Sequence, residues 1–283
     1  MQKEIDNHNR DLLKLVNKHG YLFQWRVKTE VEERGALPWE VASWEHHWVN
    51  SKEGTDGYID LILEHCRHTA FVLIVECKRV DQGQWVFLVQ TSDSQRQQTM
   101  LASCFYVKGH VPTATPDKQR LMLIGYSDFS LTPSSPESDM CIIRGEGDRD
   151  KPMLERISAR LLDSTYAVAV EELCLRERPQ NRIYVPMIIT SAQIRVCRFA
   201  TDNISLLDGN LSEANFETVP FIRFRKSITT STISMADRRN IKKSSLRGLA
   251  QAKERTILVV NSASLFEILK SIEPIGAFPG MSS

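Results

Sequence analysis

The chain has no cysteine pair at C-x-x-C spacing: its six cysteines, at 66, 77, 104, 141, 174 and 197, are scattered singly. Several sit inside apolar runs, where a thiol behaves as a small hydrophobe. That argues against a disulfide framework and favours a reducing cytoplasm. No apolar run reaches the ~18 residues that a bilayer span needs, and Met1-Gln2-Lys3-Glu4 leads into a polar helix rather than a leader, so no membrane association is expected. Charge of either sign is not in excess, with 36 Lys and Arg against 35 Asp and Glu, and any basic surface must be local. No G-x-x-x-x-G-K-[ST] loop implies ATP or GTP. No G-x-S-x-G elbow surrounds Ser191 to suggest a hydrolase triad. His46, His47, His65 and His68 with Cys66 lack zinc-finger spacing, and His46 and His47 point to opposite sides of a strand. Trp39, Trp44 and Trp48 read as core and rim packing rather than a base-stacking platform. No repeat recurs at a fixed period. What remains is ordinary globular composition, 42% apolar and 25% charged over 283 residues, enough for one large α/β domain.

Residues 3–18 space Ile5, Leu12, Leu13, Leu15 and Val16 among charges, as an amphipathic helix closed by Gly20. A second helix is expected over 22–33, then strands near 39–49, 57–65 and 71–80. Residues 89–100, with Gln90, Ser94, Gln95, Arg96, Gln97 and Gln98, read as the start of another helix, and Leu121 to Tyr126 as a short strand. Pro133-Ser134-Ser135-Pro136 and Gly145-Glu146-Gly147-Asp148 mark loops around Met140 to Ile143, the expected least ordered part. Asp150 and Pro152 open a long helix reaching about Arg176. Strands at 183–190, 194–199, 221–225 and 256–260 and a helix at 263–272 complete one elaborated domain. Its core would cover about 20–200, with C-terminal strands and a helix over 216–273.

The chemistry lies in Gly57-Tyr58-Ile59-Asp60 and in Phe71-Val72-Leu73-Ile74-Val75-Glu76-Cys77-Lys78. Both are short apolar runs of strand type joined by a polar link of hairpin length. A hairpin folded about residue 68 brings Asp60 opposite Glu76, and Glu76 and Lys78 share a face because strand side chains alternate. Opposed like charges destabilise a strand pair by up to ~1 kcal/mol, and more when buried. A hard divalent cation relieves this. Mg²⁺ takes one or two carboxylates and keeps several waters. A lysine beside it can orient an attacking water or neutralise a phosphate oxygen. The competing reading is a plain ion pair of Lys78 with either carboxylate on a solvated face.

Asp60 followed by Glu76-x-Lys78 resembles the PD-(D/E)xK superfamily, the restriction-endonuclease-like fold. Tyr58-Ile59 stands where the motif's proline would fall. The resemblance runs over residues 23–88, from Phe23-Gln24-Trp25-Arg26-Val27 on a first helix to Trp85-Val86-Phe87-Leu88. It implies a mixed central sheet flanked by helices. It also implies that Asp60, Glu76 and the main-chain carbonyl of Cys77 hold Mg²⁺ (with Mn²⁺ able to substitute) and that Lys78 is the catalytic lysine. Members often carry a glutamate on the first helix. Gln24 occupies the expected position, and Glu30, near the face of Phe23 and Val27, is the best substitute, ahead of Glu32 and Glu33. Gln95 and Gln98 could contact DNA, or be plain exposed polarity.

Arg238, Arg239, Lys242, Lys243, Arg247, Lys253 and Arg255 make the densest basic stretch, with Arg223, Arg225 and Lys226 just before it. It suits phosphate-backbone contacts, and equally a solvated serine-rich segment. Arg225 and Lys226 are the sharper candidates because they leave a strand. The expectation is a cytoplasmic Mg²⁺-dependent nuclease acting on DNA, in bacterial defence or repair, as a homodimer or a subunit of a complex. The rival is a catalytically silent nucleic-acid-binding or scaffolding subunit of the same fold.

Overall fold

Alternating and unbroken apolar runs build two β-sheets that share a core. In a computed structural model, residues 2–33, 35, 37–50, 54–66, 71–81, 83–91, 100–106, 120–126, 135–143, 153–175, 182–228 and 246–272 are described. In chain order the elements are α1 (Gln2–Lys18), α2 (Tyr21–Glu33), β1 (Trp39–Asn50), β2 (Thr55–His65), β3 (Phe71–Lys78), β4 (Gln84–Gln90), β5 (Met100–Tyr106), β6 (Arg120–Tyr126), β7 (Glu137–Ser138), β8 (Cys141–Ile143), α3 (Met153–Leu175), β9 (Arg182–Thr190), β10 (Gln193–Phe199), β11 (Asn215–Thr218), β12 (Phe221–Ser227), α4 (Leu246–Lys253), β13 (Glu254–Asn261) and α5 (Leu265–Ser271).

The larger sheet runs β1-β2-β3-β9-β13-β12-β7, with β5 and β6 joined to it through β9. β1, β2 and β3 form an antiparallel meander. β9 then lies parallel to both β3 and β13. It is buried along its whole length, which explains why Ile183 to Thr190 reads as an unbroken apolar run. Pro186 sits inside it without harm to the ladder. On the side away from β3, β9 pairs with β5 through Arg182–Tyr184 and with β13 from Met187 onward, so the residue lacking an N–H falls at the handover.

The two faces of this sheet bury different residues. On β3, Phe71, Leu73, Val75 and Cys77 pack with Val27 and Val31 of α2 and with Leu265, Ile268 and Leu269 of α5. Val72 and Ile74 pack on the other side with Leu161, Leu162 and Tyr166 of α3 and with Trp85 and Phe87 of the second sheet. That sheet has the order β11-β10-β4-β8. Phe87 meets Phe224 of the first sheet edge-on, with centroids 5.5 Å apart. The protein is therefore α/β, with mixed sheets flanked by helices. No helix among the described residues is long and apolar enough to cross a membrane.

Several expectations change. The helix expected over 89–100 is strand at both described ends: Val89 and Gln90 close β4, where Trp85, Phe87 and Val89 alternate into the shared core, and Met100 opens β5; residues 92–99 lie outside the described residues. Cys141–Ile143, expected in the least ordered part, pairs with β4. β5 and β11 have no counterpart in the sequence reading. The capping pair Asp150 and Pro152 also lies outside the described residues.

Candidate active site

The β2–β3 hairpin has the register that its symmetry dictates, with Leu61 opposite Val75 and Ile62 opposite Ile74. The regular pairing stops at Asp60, whose Oδ2 instead accepts the backbone N–H of Cys77 at 2.6 Å. Glu76 and Lys78 stand on one face, two residues apart, and pair at 2.6 Å with side chains only 17% and 33% exposed. Behind them the chain is pinned. The Lys78 carbonyl accepts from Ser191 N–H at 3.2 Å, and Ser191 Oγ accepts from Val80 N–H at 2.8 Å and donates to the Val80 carbonyl at 3.1 Å. The turn joining β9 to β10 thus fixes the strand end that presents the lysine. The sequence-predicted trio Asp60, Glu76 and Lys78 is brought together.

The electrostatics are those of crowded acids. Burial pushes the Asp60 carboxyl up to about 7, and Glu76 and Glu45 push the same way, while the Cys77 N–H and Lys78 oppose them. Burial alone would lower Lys78, but Glu76 and Asp60 outweigh it and hold the ammonium above its ordinary value. Cys77 turns its thiol into the α2 side of the core. Burial first, then Asp60 and Glu76, push that thiol well up, so it packs as a neutral group.

The sequence reading missed Glu45. In β1 the pairs Trp44–Leu61 and His46–Ile59 flank it, which sets Glu45 across from Asp60. Its φ of 52° is the only positive value at a non-glycine among the described residues. This left-handed residue breaks the alternation of β1. Trp44 packs on Trp25 of α2 at 5.5 Å between centroids, with Lys28 over its ring. Glu45 accepts a hydrogen bond from the amide of Gln24, also on α2. His46 then returns to the α3 side, with Nε2 3.1 Å from Glu171. Trp44 is 41% exposed and Trp25 57%, so Trp44 is not a core residue. The same hairpin symmetry that located Asp60 was available one hairpin earlier: Asn50 opposite Thr55 also sets Glu45 against Asp60.

Other expected residues lie elsewhere. Glu30 is bound by Arg26 one turn back at 2.6 Å. Glu45 is a further acid whose charge acts on Asp60. Arg225 and Lys226 are engaged inside the fold rather than offered to a ligand. Arg225 forks onto Glu137 at 3.2 and 2.6 Å with both side chains largely buried. Lys226 binds Glu155, donates to the Asp139 carbonyl at 2.8 Å and lies over Phe224. They are also at the wrong end of the sheet. Lys78 is level with Thr190 and Asn261, whereas Arg225 is level with Thr256, five residues or ~16 Å along the strand. Arg238, Arg239, Lys242 and Lys243, and Gln95 and Gln98, lie outside the described residues. A cavity of about 240 Å³, lined in part by Ser43, His46, Glu64, Glu171 and Arg182, includes none of Asp60, Glu76 and Lys78.

Among the described residues no three His, Cys, Asp or Glu side chains are drawn together at metal-holding distance. Glu76 is turned to Lys78 and Glu45 to Gln24. The chemistry of the donor set nonetheless suits a hard cation: Asp60 and Glu76 come from adjacent strands, and only one Asp60 oxygen is used by the Cys77 N–H. No family model, curated protein or solved structure matches the chain.

Proposed function

We propose that the chain is a metal-dependent phosphodiester hydrolase of the PD-(D/E)xK type, with DNA as its substrate. The observation that carries this is the convergence of Asp60, Glu76 and Lys78 at the end of an otherwise apolar β-hairpin, where burial and neighbouring acids keep Asp60 up to about 7. Such crowding destabilises the protein unless a cation is to be received there. The element order supports the restriction-endonuclease-like reading: α2, then the β1–β3 meander, then α3 leading to β9 beside the catalytic strand.

Asp60 and Glu76 would hold Mg²⁺ or Mn²⁺, with the Cys77 carbonyl as the third donor that the resemblance gives. When bound, the ion supplies Lewis acidity toward a phosphoryl oxygen and an acidified water. Lys78 would orient the attacking water or meet charge developing on the phosphate. The ladder to β9 and the Ser191 bonds hold it in place, so the protein contributes position and preorganised charge. Supercoiled and linear DNA incubated with Mg²⁺ or Mn²⁺ tests the reading. Wild type should nick or degrade, and Lys78→Ala should not. Equal cleavage by both would remove Lys78 from the mechanism.

One observation favours a second reading, a catalytically silent nucleic-acid-binding subunit: Glu76 and Lys78 already neutralise each other at 2.6 Å. In that case neither Mg²⁺ nor Mn²⁺ would raise the melting temperature, whereas a working site gains stability as it fills.

A further inference from the structure

We propose that Ser43, His46 and Glu171 act as a nucleophile, its general base and the acid that positions the base, and that they hydrolyse a small uncharged or cationic ester in the cavity they border. None of Asp60, Glu76 and Lys78 lines that cavity, and the inference does not depend on the nuclease reading.

Residues 43 and 46 are three apart, and on a regular strand they would face opposite sides of the sheet. The left-handed Glu45 between them cancels one alternation. Ser43 stands opposite Ile62 and His46 opposite Ile59, both in the core on the α3 side. Ser43 Oγ and His46 Nδ1 thereby lie 3.3 Å apart, and His46 Nε2 is 3.1 Å from Glu171 Oε2 on α3. The acid decides the tautomer. A carboxylate only accepts, so in the neutral imidazole Nε2 carries the hydrogen; Nδ1 is then the acceptor, and the serine O–H donates to it. That is the polarity a general base needs toward a hydroxyl nucleophile, with an acid orienting the ring from behind. Backbone strain persists where a site uses it, and here its product is the Ser43–His46 contact.

All three side chains line a cavity of about 240 Å³, walled by Ile62, Val72 and Val168, which suits a short acyl chain. Arg182, only 4% exposed, is held between Glu64 at 2.7 Å and Glu172 at 3.2 Å. With Glu171 the cavity carries three acids against one arginine, which disfavours an anionic substrate. Ala42 also lines it, and the β1–β2 ladder skips this residue where the register shifts between Val41 and Ser43. Such a bulge leaves the extra residue out of the ladder, and the Ala42 N–H is the donor assigned to the oxyanion. Ser43 Oγ bonds the acyl carbon as its proton passes to His46 Nδ1. The alcohol leaves with that proton. Water then attacks the acyl-serine, giving one proton to His46, and the carboxylic acid departs as the proton returns to Ser43.

The test uses the full chain with two probes, diisopropyl fluorophosphate and p-nitrophenyl butyrate, and melting as the check on folding. The fluorophosphate exchanges its fluoride for an activated serine oxygen, so peptide mass mapping should find it on Ser43. The butyrate ester should be hydrolysed, and mono-p-nitrophenyl succinate, an anionic ester of similar length, about tenfold more slowly or less. Ser43→Ala should lose both labelling and turnover, and His46→Gln should lower kcat by about 10²- to 10⁴-fold. Glu171 is a positioning residue, so Glu171→Gln should lower kcat and leave KM unchanged, a split that a merely structural role would not give. Labelling is read on the wild type and therefore decides even where Ser43→Ala does not fold. An unlabelled Ser43, or hydrolysis undiminished in folded Ser43→Ala, would overturn the proposal.

Discussion

A carboxyl group held up to about 7 makes the metal-free protein pay for ionising it, and Asp60 is such a group. The sign is definite. Its folded value lies above the ordinary 3.8, so the native state binds the proton more tightly than the unfolded chain does. The stability this contributes is complete below pH ~4 and is lost as pH rises toward 7. Asp60→Asn keeps an oxygen for the Cys77 N–H and removes the charge. In chelator at pH 8 it should melt higher than wild type, by about 1–4 kcal/mol in unfolding free energy, with the difference closing by pH ~4. The same proton competes with a metal, so Mn²⁺ affinity should rise with pH up to about 7 and then level off, by up to about tenfold per unit. Lys78→Ala should abolish cleavage yet bind Mn²⁺ at least as well as wild type, because it frees Glu76. A parallel loss of binding would show that the lysine is structural. The trio was legible because hairpin symmetry and strand alternation are read from spacing alone. The position of Glu45 across from Asp60 was legible from the same symmetry, but the side it faces was not: its left-handed conformation occurs at a glutamate, with no glycine to signal it.

Strands buried on both faces, such as β9 and β13, announced themselves as apolar runs, and the β1–β3 meander as runs bounded by turn residues. The short strands β7, β8 and β11 did not, since two to four residues carry no period. β12 was found but its charges were misread. Phe221-Ile222-Arg223-Phe224-Arg225 alternates as though half-solvated, yet the run from Phe221 to Phe224 is buried throughout. The neutralising acid, Glu137, comes from β7, 88 residues away in sequence, and no local pattern shows it. Arg225→Ala should therefore lower unfolding free energy by about 3 kcal/mol, because it leaves Glu137 buried with too little compensation. DNA affinity, compared at matched folded fraction, should not change. A large loss of affinity with unaltered melting would restore Arg225 as a phosphate contact.

Across the molecule, stability and chemistry are separated. The shared core of the two sheets and α3 carries the fold, while the acids gather where α2, β1, β2 and β3 meet. α1 belongs to neither, with Leu12, Leu13, Leu15 and Val16 all exposed. Deleting residues 2–18 should leave the melting temperature within about 2 °C, as expected for exposed segments. A larger drop would mean that α1 covers apolar surface in solution. The balanced charge of the chain gave no hint of a ligand, and it could not have, because the site needs only a few charges brought from distant positions. Crystals soaked in Mn²⁺ and measured at the manganese absorption edge address the site most directly. An anomalous peak between the carboxylates of Asp60 and Glu76 is expected; a fully soaked crystal with no peak at that corner would contradict a metal-dependent nuclease.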